Sequence, residues 1–121
     1  MVRSPLAFSS LFQYWNLTVM QTLDQIRCQL SQGQFEFSWH AFKHAVERDT
    51  SDQEIIQAAT NVRIIEDYPE DKYAPSCLLL GLTDAGRPLH IQVSFIESEL
   101  VRIITLYEPD EADWIDFSQR R

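Results

Sequence analysis

The chain has 121 residues, of which 45% are hydrophobic and 12% aromatic, and its formal net charge is -8 at pH 7. This length and composition suit one domain with one hydrophobic core. The acidic balance excludes a broad basic face that coats DNA, whereas a short, local contact with RNA remains compatible with it. Cys28 and Cys77 lie in unrelated segments without CxxC spacing, so we expect no zinc knuckle, redox motif or disulfide framework, and a cytoplasmic location.

The first nineteen residues are rich in apolar side chains, but they match neither a signal peptide nor a membrane anchor. Arg3 alone makes a weak basic start, Gln13 and Asn16 interrupt the apolar run, and the run is too short to span a bilayer. We therefore expect no contact with a membrane. The predicted organisation is an extension outside the fold, a single α+β domain and a C-terminal tail, at residues 1–19, 20–110 and 111–121.

Two of the three predicted helices are marked by a clear signal at one end, a stop for the first and a start for the third. Between residues 22 and 32 the apolar side chains recur at i, i+3 and i+7, and Gly33 is a natural stop. Ser51 and Glu54 form an S-x-x-E capping box, which predicts the start of a third, short helix.

The second predicted helix carries two of the three histidines. Ser38 is a suitable N-cap, and the helix is expected to run to about Arg48. The spacing i, i+3, i+7 predicts that its core face consists of Trp39, Phe42 and Val46. At about 100° per residue, a polar stripe lies nearly opposite this face and consists of His40, His44 and Arg48.

Beyond Asn61 the pattern changes to that of β-strands. Four segments alternate or run apolar over strand length and are separated by turn residues; they are residues 62–67, 77–82, 88–95 and 100–107. The predicted fold is therefore N-terminal helices packed on a four-stranded antiparallel β-meander. Residues 113–121 are expected to form a short helical or frayed tail, from which Trp114 and Phe117 can dock on the domain.

A two-residue turn at Ser98 and Glu99 would fix the register of the last two strands. Counting back from this turn places apolar residues opposite apolar ones and polar residues opposite polar ones. The predicted pairs are His90 with Tyr107, Ile91 with Leu106, Gln92 with Thr105 and Val93 with Ile104.

The helical stripe has two interpretations. Polar side chains that coat an exposed helix face give the same pattern. Alternatively, the two imidazoles and the guanidinium supply the base, acid and cation that phosphodiester cleavage through an RNA 2′-hydroxyl requires. His40 and His44 are also spaced to share a zinc ion with His90, but no HExxH motif, cysteine pair or acidic triad supports this third alternative. We expect neither a metal nor a cofactor.

Four blocks of sequence carry a family resemblance. They are His40-Ala41 with Arg48, Glu66-Asp67-Tyr68-Pro69, Gly86-Arg87-Pro88-Leu89-His90 and Ile104-Thr105-Leu106-Tyr107. From about Phe37 to Pro109 the chain resembles the bacterial family called domain of unknown function 4258. That family is similar to RelE/ParE-like and BrnT-like toxins, small α+β proteins that are mostly ribonucleases neutralised by a neighbouring antitoxin, in several genomes a zinc-finger protein of the MqsA type.

The resemblance implies a RelE-like fold and a toxin-like endoribonuclease that cleaves RNA by metal-independent acid–base catalysis. The family's recurring polar positions fall on His40, Arg48, His90 and Thr105, with Tyr107 less specific. In this hypothesis His40 is the base or acid, Arg48 holds the scissile phosphate, and His90 with Tyr107 supplies the second proton-transfer group, so all four should line one cleft. The expected partners are an antitoxin and locally bound RNA. The alternative is a non-catalytic protein-interaction module with an acidic binding surface.

Overall fold

The computed structural model describes residues 20–72 and 74–121, and the predicted extension at residues 1–19 lies outside them. The helices of this part are α1 (Leu23–Ser31), α2 (Trp39–Glu47) and α3 (Asp52–Ala59). Its main-sheet strands are β1 (Phe35–Phe37), β2 (Arg63–Tyr68), β3 (Ser76–Leu82), β4 (Pro88–Ser94) and β5 (Val101–Tyr107), and a C-terminal hairpin contains β6 (Trp114–Ile115) and β7 (Gln119–Arg120). No helix between Met20 and the C-terminus is long and apolar enough to cross a membrane.

The helices begin where the capping signals predict. Ser38 accepts a hydrogen bond from the Ala41 backbone at 3.0 Å and so caps α2. At α3 the backbone N–H of Glu54 donates to Ser51 Oγ at 3.1 Å, and Ser51 N–H donates to the Glu54 carboxylate at 3.0 Å. The predicted capping box is therefore confirmed, because both orphan donors find a side-chain acceptor.

The predicted core face of α2 is wrong. Trp39, Phe42 and Val46 are 75%, 47% and 65% exposed, whereas Ala41 and Ala45 are buried in the core. Small side chains let the helix backbone lie close to β5, which the bulkier apolar residues would prevent. Since the buried face is centred on the two alanines, the histidine stripe does not lie opposite the core.

The sheet is mixed and has five strands, in the order β1-β5-β4-β3-β2. β1 runs parallel to β5, with Phe35 opposite Val101 and Phe37 opposite Ile103, while the other neighbouring strands are antiparallel. The prediction of a four-stranded, wholly antiparallel sheet is therefore wrong. A strand of three residues is too short to give a periodic signal, and its pairing with a strand more than sixty residues later is non-local.

The predicted register of the last two strands is largely confirmed. His90, Ile91 and Gln92 pair with Tyr107, Leu106 and Thr105. A β-bulge after Gln92 then shifts the ladder, so that Val93 pairs with Ile103 and not with Ile104. β4 and β5 are joined by residues 95–100 in place of the predicted two-residue turn.

The two faces of the sheet are covered by different elements. Leu79, Ile91 and Leu106 belong to the core cluster that also contains Ala41 and residues of the other helices, so this is the helix face. Alternation along the strands directs the neighbouring residues to the other side, and we call it the hairpin face; it carries Leu78, Leu80, His90, Gln92, Thr105 and Tyr107.

The C-terminal tail is a β-hairpin, so the predicted helical or frayed tail is wrong. Trp114 pairs with Arg120 in this hairpin and is only 4% exposed, as the prediction that it docks on the domain requires. Its indole contacts His90 on the hairpin face. The hairpin therefore closes the side of the sheet that the helices leave uncovered.

Candidate active site

Six polar or aromatic side chains meet beneath the C-terminal hairpin. We call them the His90 cluster; its members are Glu66 and Tyr68 from β2, His90 from β4, Tyr107 from β5, and Trp114 and Arg120 from the hairpin. Direct contacts join them: hydrogen bonds link His90 to Tyr107 and Glu66 to both Tyr68 and Arg120, and ring contacts link Trp114 to His90 and Arg120. The cluster thus joins three strands of the main sheet to the C-terminal hairpin.

His90 is completely buried, and both of its ring nitrogens are engaged. Nε2 lies 2.5 Å from the backbone oxygen of Phe117, and Nδ1 lies 3.1 Å from the Tyr107 hydroxyl. Because a carbonyl oxygen can only accept, the proton of the neutral ring belongs on Nε2, and Nδ1 then accepts from Tyr107. Burial lowers the pKa of His90, against the opposing effect of the Phe117 hydrogen bond. The ring is therefore a neutral base with its acceptor directed at a phenol.

Tyr107 is the member of this pair that reaches the surface. Its side chain is half-buried, and burial raises the pKa of its hydroxyl, so the phenol keeps its proton and donates it to His90. The ring of His90 lies edge-on to that of Tyr107, with centroids 5.1 Å apart. The pair therefore provides a proton path from the surface to a buried imidazole.

Trp114 fixes the hairpin against the histidine. The indole and imidazole rings are edge-to-face, with centroids 4.4 Å apart and an interplanar angle of 89°. The guanidinium of Arg120 lies 4.6 Å from the centroid of the Trp114 ring. This arrangement combines an aromatic contact with a cation–π contact, both of which stabilise partly desolvated sites.

Glu66 neutralises Arg120 through a two-pronged ion pair. Arg120 Nε and Nη2 donate to the two carboxylate oxygens at 2.7 and 3.0 Å, and Tyr68 also donates to the carboxylate. The hydrogen bond from Arg120 lowers the pKa of Glu66, while burial raises the pKa of Tyr68 to about 12. The sequence hypothesis gave Glu66 no role in the site. The available signal was that Glu66 and Tyr68 are alternate residues of one β-compatible block and so share a face.

A cleft of about 450 Å³ opens beside the cluster. It is lined by Tyr107, Ala112, Asp113, Trp114, Arg120 and Arg121. Arg121 uses its Nε to donate to the backbone oxygen of Glu111 at 2.8 Å. Within residues 20–72 and 74–121 its terminal Nη groups have no hydrogen-bond partner, so they remain available to an anion in the cleft.

The turn of the hairpin has an unusual backbone. Asp116 and Phe117 have φ values of 52° and 61°, a left-handed conformation that side-chain-bearing residues rarely adopt, and Ser118 N–H donates to Ile115 across the turn at 3.1 Å. Such residues cost on the order of 1 kcal/mol each and persist where the surroundings hold them. Here the conformation places the Phe117 oxygen on His90.

The predicted histidine stripe lies elsewhere. His40 and His44 are in ring contact, with centroids 4.4 Å apart, on α2, which packs on the helix face; His40 is exposed. His44 is half-buried, and its Nδ1 is buried without a hydrogen-bond partner in the part of the chain that the structure describes. No cluster of three potential metal ligands includes either ring among the same residues. The structure therefore does not bring these histidines to His90.

Arg48 is also separate from the cluster. It follows the last residue of α2 and is exposed. It lines a different cleft of about 570 Å³, together with Arg87, Glu108 and Phe117. Thr105 shares the hairpin face and pairs with Gln92, two positions along the ladder from the His90–Tyr107 pair. Of the five predicted catalytic residues, the structure thus groups His90, Tyr107 and Thr105 on one face and leaves His40 and Arg48 apart.

Comparison with models of protein families gives a match. A family model described as domain of unknown function (DUF4258) matches residues 37–108, which is more than half of the chain. No curated protein and no solved structure matches this chain. The matched range contains Glu66, Tyr68, His90 and Tyr107, and it ends before the hairpin residues of the cluster.

Proposed function

This chain belongs to the family described as domain of unknown function 4258, and from the geometry of its His90 cluster we propose that it is a toxin-like endoribonuclease of a bacterial toxin–antitoxin pair. The supporting observation is the hydrogen bond between Tyr107 and the neutral, buried His90, beside a cleft with an available arginine. The proposed reaction is cleavage of RNA by metal-independent acid–base catalysis, in the cytoplasm. An antitoxin protein is the proposed partner.

The Tyr107–His90 pair acts as a proton relay in this proposal. The 2′-hydroxyl of a ribose in the cleft gives its proton to the Tyr107 oxygen while the phenol proton moves to Nδ1 of His90. The 2′-oxygen attacks the adjacent phosphorus, the bond from phosphorus to the 5′-oxygen breaks, and that oxygen takes a proton from a water molecule. The resulting hydroxide regains a proton from His90 through Tyr107, which restores the neutral pair. The products are a 2′,3′-cyclic phosphate and a 5′-hydroxyl. The transient imidazolium is stabilised by the Phe117 carbonyl and the nearby Glu66 carboxylate.

Arg121 is the group that holds the phosphate in this proposal. Arg121 lines the same cleft as Tyr107, and a guanidinium matches the charge and the oxygen spacing of a phosphodiester. Arg120 is committed to Glu66 and positions the hairpin. Arg121 therefore takes the role that the sequence hypothesis gave to Arg48.

The acidic surface limits how RNA can bind. With a net charge of -8, the protein repels most of a polynucleotide and engages only the one or two phosphates at the cleft. The logarithm of the RNA affinity should therefore fall with the logarithm of the salt concentration with a slope of only about -1, because few counterions are released.

The test is cleavage of RNA and inhibition of growth by matched variants. Tyr107→Phe keeps the aromatic ring and removes the hydroxyl group that passes the proton on. His90→Gln keeps hydrogen bonds to Tyr107 and Phe117, but its amide cannot accept a proton at neutral pH. We expect each to lower the cleavage rate by at least about 100-fold, as removal of a general acid–base group does. Circular dichroism and the unfolding midpoint of each variant establish that the fold is kept.

His40→Ala and Arg48→Ala complete the experiment, because the roles that the resemblance gives these residues stay predictions. If only these two variants lose activity, catalysis belongs to the α2 surface and the His90 relay is wrong. If neither the wild type nor any variant cleaves RNA, with or without a co-purified partner, the alternative of a non-catalytic interaction module with an acidic binding surface replaces the nuclease.

A further inference from the structure

The outer face of α2 continues a series of aromatic side chains that begins on β1. Ring centroids are 5.6 Å apart between Phe35 and Phe37, 6.4 Å between Phe37 and Phe42, and 6.0 Å between Phe42 and Trp39. The two strand residues are partly buried, whereas Trp39 is 75% exposed. Val46 extends the surface by another turn of the helix and is 65% exposed. We call this surface the aromatic ridge.

β1, beside the ridge, is an edge strand. In the part of the chain that the structure describes, it pairs only with β5. Gln34 accepts from Val101 N–H, and Ser38 N–H donates to Ile103, each at 2.9 Å, so the residues flanking β1 direct their backbone groups inward. By alternation, the N–H and C=O groups of Phe35 and Phe37 point to the open edge.

The charge at this edge favours one kind of partner. Glu36 projects from β1 between the two phenylalanines, and its side chain is 49% exposed. Its ion pair with Arg102 on the inner neighbour β5 is long, at 3.8 Å. The whole chain adds a net charge of -8. A second strand at this edge is therefore stabilised by a basic side chain opposite Glu36.

We propose that the β1 edge and the aromatic ridge form a docking site for a basic partner protein, which adds an extended segment as a sixth strand of the sheet. In that segment a Lys or Arg lies opposite Glu36, and the flanking apolar side chains cover Phe42 and Trp39 on the helix side. Backbone hydrogen bonds to Phe35 and Phe37 supply affinity, and the apolar–basic–apolar pattern supplies specificity. This surface is distinct from the His90 cluster, so the proposal does not rest on RNA cleavage.

A second copy of the chain fits this edge less well. Two β1 edges paired around their centres would place Glu36 close to Glu36 of the other copy, and like charges that face each other across strands are unfavourable. Each copy also brings the same net negative charge. A partner of opposite charge removes both penalties.

Fluorescence anisotropy with the full chain and short dye-labelled peptides tests the proposal. The probe alternates valine with lysine, and its control alternates valine with glutamate; a third peptide has proline at the central position and cannot complete the strand pairing. We expect the lysine peptide to bind at least about 10-fold more tightly than either control. Trp39→Ala and Phe42→Ala should each weaken it by about 10-fold or more, because buried aromatic anchors dominate such interfaces.

The charge swap Glu36→Lys and the matched control Leu82→Ala make the test specific. Glu36→Lys should reverse the preference between the lysine and glutamate peptides. Leu82 is an apolar residue on β3 that is 45% exposed, so Leu82→Ala should leave peptide binding unchanged. Equal binding of all three peptides, or an effect of Leu82→Ala as large as that of Phe42→Ala, overturns the proposal. So does a dimer that Trp39→Ala dissociates in sedimentation, or peptide binding that requires removal of residues 1–19.

Discussion

The two faces of the sheet are built from different chemistry. The helix face is close-packed and aliphatic, with Leu79, Ile91 and Leu106 at 0–1% exposure beneath the helices. The hairpin face buries an imidazole and half-buries two phenols, and an ion pair between Glu66 and the exposed Arg120 joins it to a hairpin whose strands have two residues each. Burial of apolar area explains the first face. The second buries polar groups that must all be paired, which is a costly way to build a core and an effective way to build a site.

Two neighbouring leucines of β3 test the difference between the helix face and the hairpin face most directly. Leu79 points to the helix face and Leu80 to the hairpin face, and they are 0% and 8% exposed. We expect Leu79→Ala to lower the free energy of unfolding by about 3–5 kcal/mol, because the surrounding elements cannot collapse onto the cavity. Leu80→Ala should lower the free energy of unfolding by about 2 kcal/mol, because the small hairpin can move to fill part of the cavity. Urea unfolding measures both, and equal costs would contradict two distinct faces.

Gly81 tests the close approach of α3 to the sheet. A Cβ atom at this position would lie 2.4 Å from the backbone oxygen of Ala58 and 2.9 Å from Val62. The obstructing oxygen belongs to a helix and cannot rotate away, so Gly81→Ala should destabilise the protein by about 2–3 kcal/mol. Gly86→Ala is the contrast, since nothing lies within 4 Å of its Cβ position and only its φ of 84° is strained. A Gly81→Ala protein as stable as the wild type would rule out this packing.

The pH dependence of stability reports on the buried imidazole. The folded state lowers the pKa of His90 from its ordinary value of 6.5, so the unfolded chain takes up the proton first. As the pH falls below about 6.5, the free energy of unfolding should therefore decrease, by up to about 1.4 kcal/mol per pH unit.

His90→Gln is the control for this dependence. The glutamine does not titrate, so the difference between the two proteins should narrow between pH 7 and pH 5, which urea unfolding at each pH measures. The lowered pKa of Glu66 acts in a separate range, below its ordinary value of 4.5. Parallel pH profiles for the two proteins would show that His90 is not buried in its neutral form.

The smallest expected effect belongs to the ion pair that closes the hairpin. Arg120 is 62% exposed, so Glu66→Gln should cost less than about 1 kcal/mol at pH 7. Because Arg120 lowers the pKa of Glu66, the ionised pair stabilises the fold above about pH 4.5, and this contribution is lost as the pH falls further. Asp24→Asn, which removes the exposed partner of Arg27, should change stability less. A larger effect of Asp24→Asn would contradict the role given to Glu66.

Local sequence signals predicted much of the fold. The caps at Ser38 and Ser51 mark where α2 and α3 begin, because a helix end needs acceptors for its free N–H groups whatever its surroundings. Alternation also found the pairing of His90 with Tyr107, since a slip of one residue would have mixed apolar with polar side chains.

Periodicity failed where two faces of one helix are both apolar. On α2 the large residues Trp39 and Phe42 gave the stronger hydrophobic signal, yet the alanines are buried, because the distance between helix and sheet selects side-chain size. The sequence of the helix alone does not reveal the distance between the helix and the sheet. The exposed ridge, and with it the proposed docking site, therefore follows only from the packed structure.

The sequence by itself determined the positions of the helices, the strands of the second half and the partnership of His90 with Tyr107, because these depend on neighbours along the chain or on one register. The tertiary structure decided which residues share a site. It separated His40 and Arg48 from His90 and added Glu66, Trp114 and Arg120, because the C-terminal hairpin returns to cover one face of the sheet while α2 packs on the other. Contacts between distant segments depend on shape complementarity, which residue spacing does not encode.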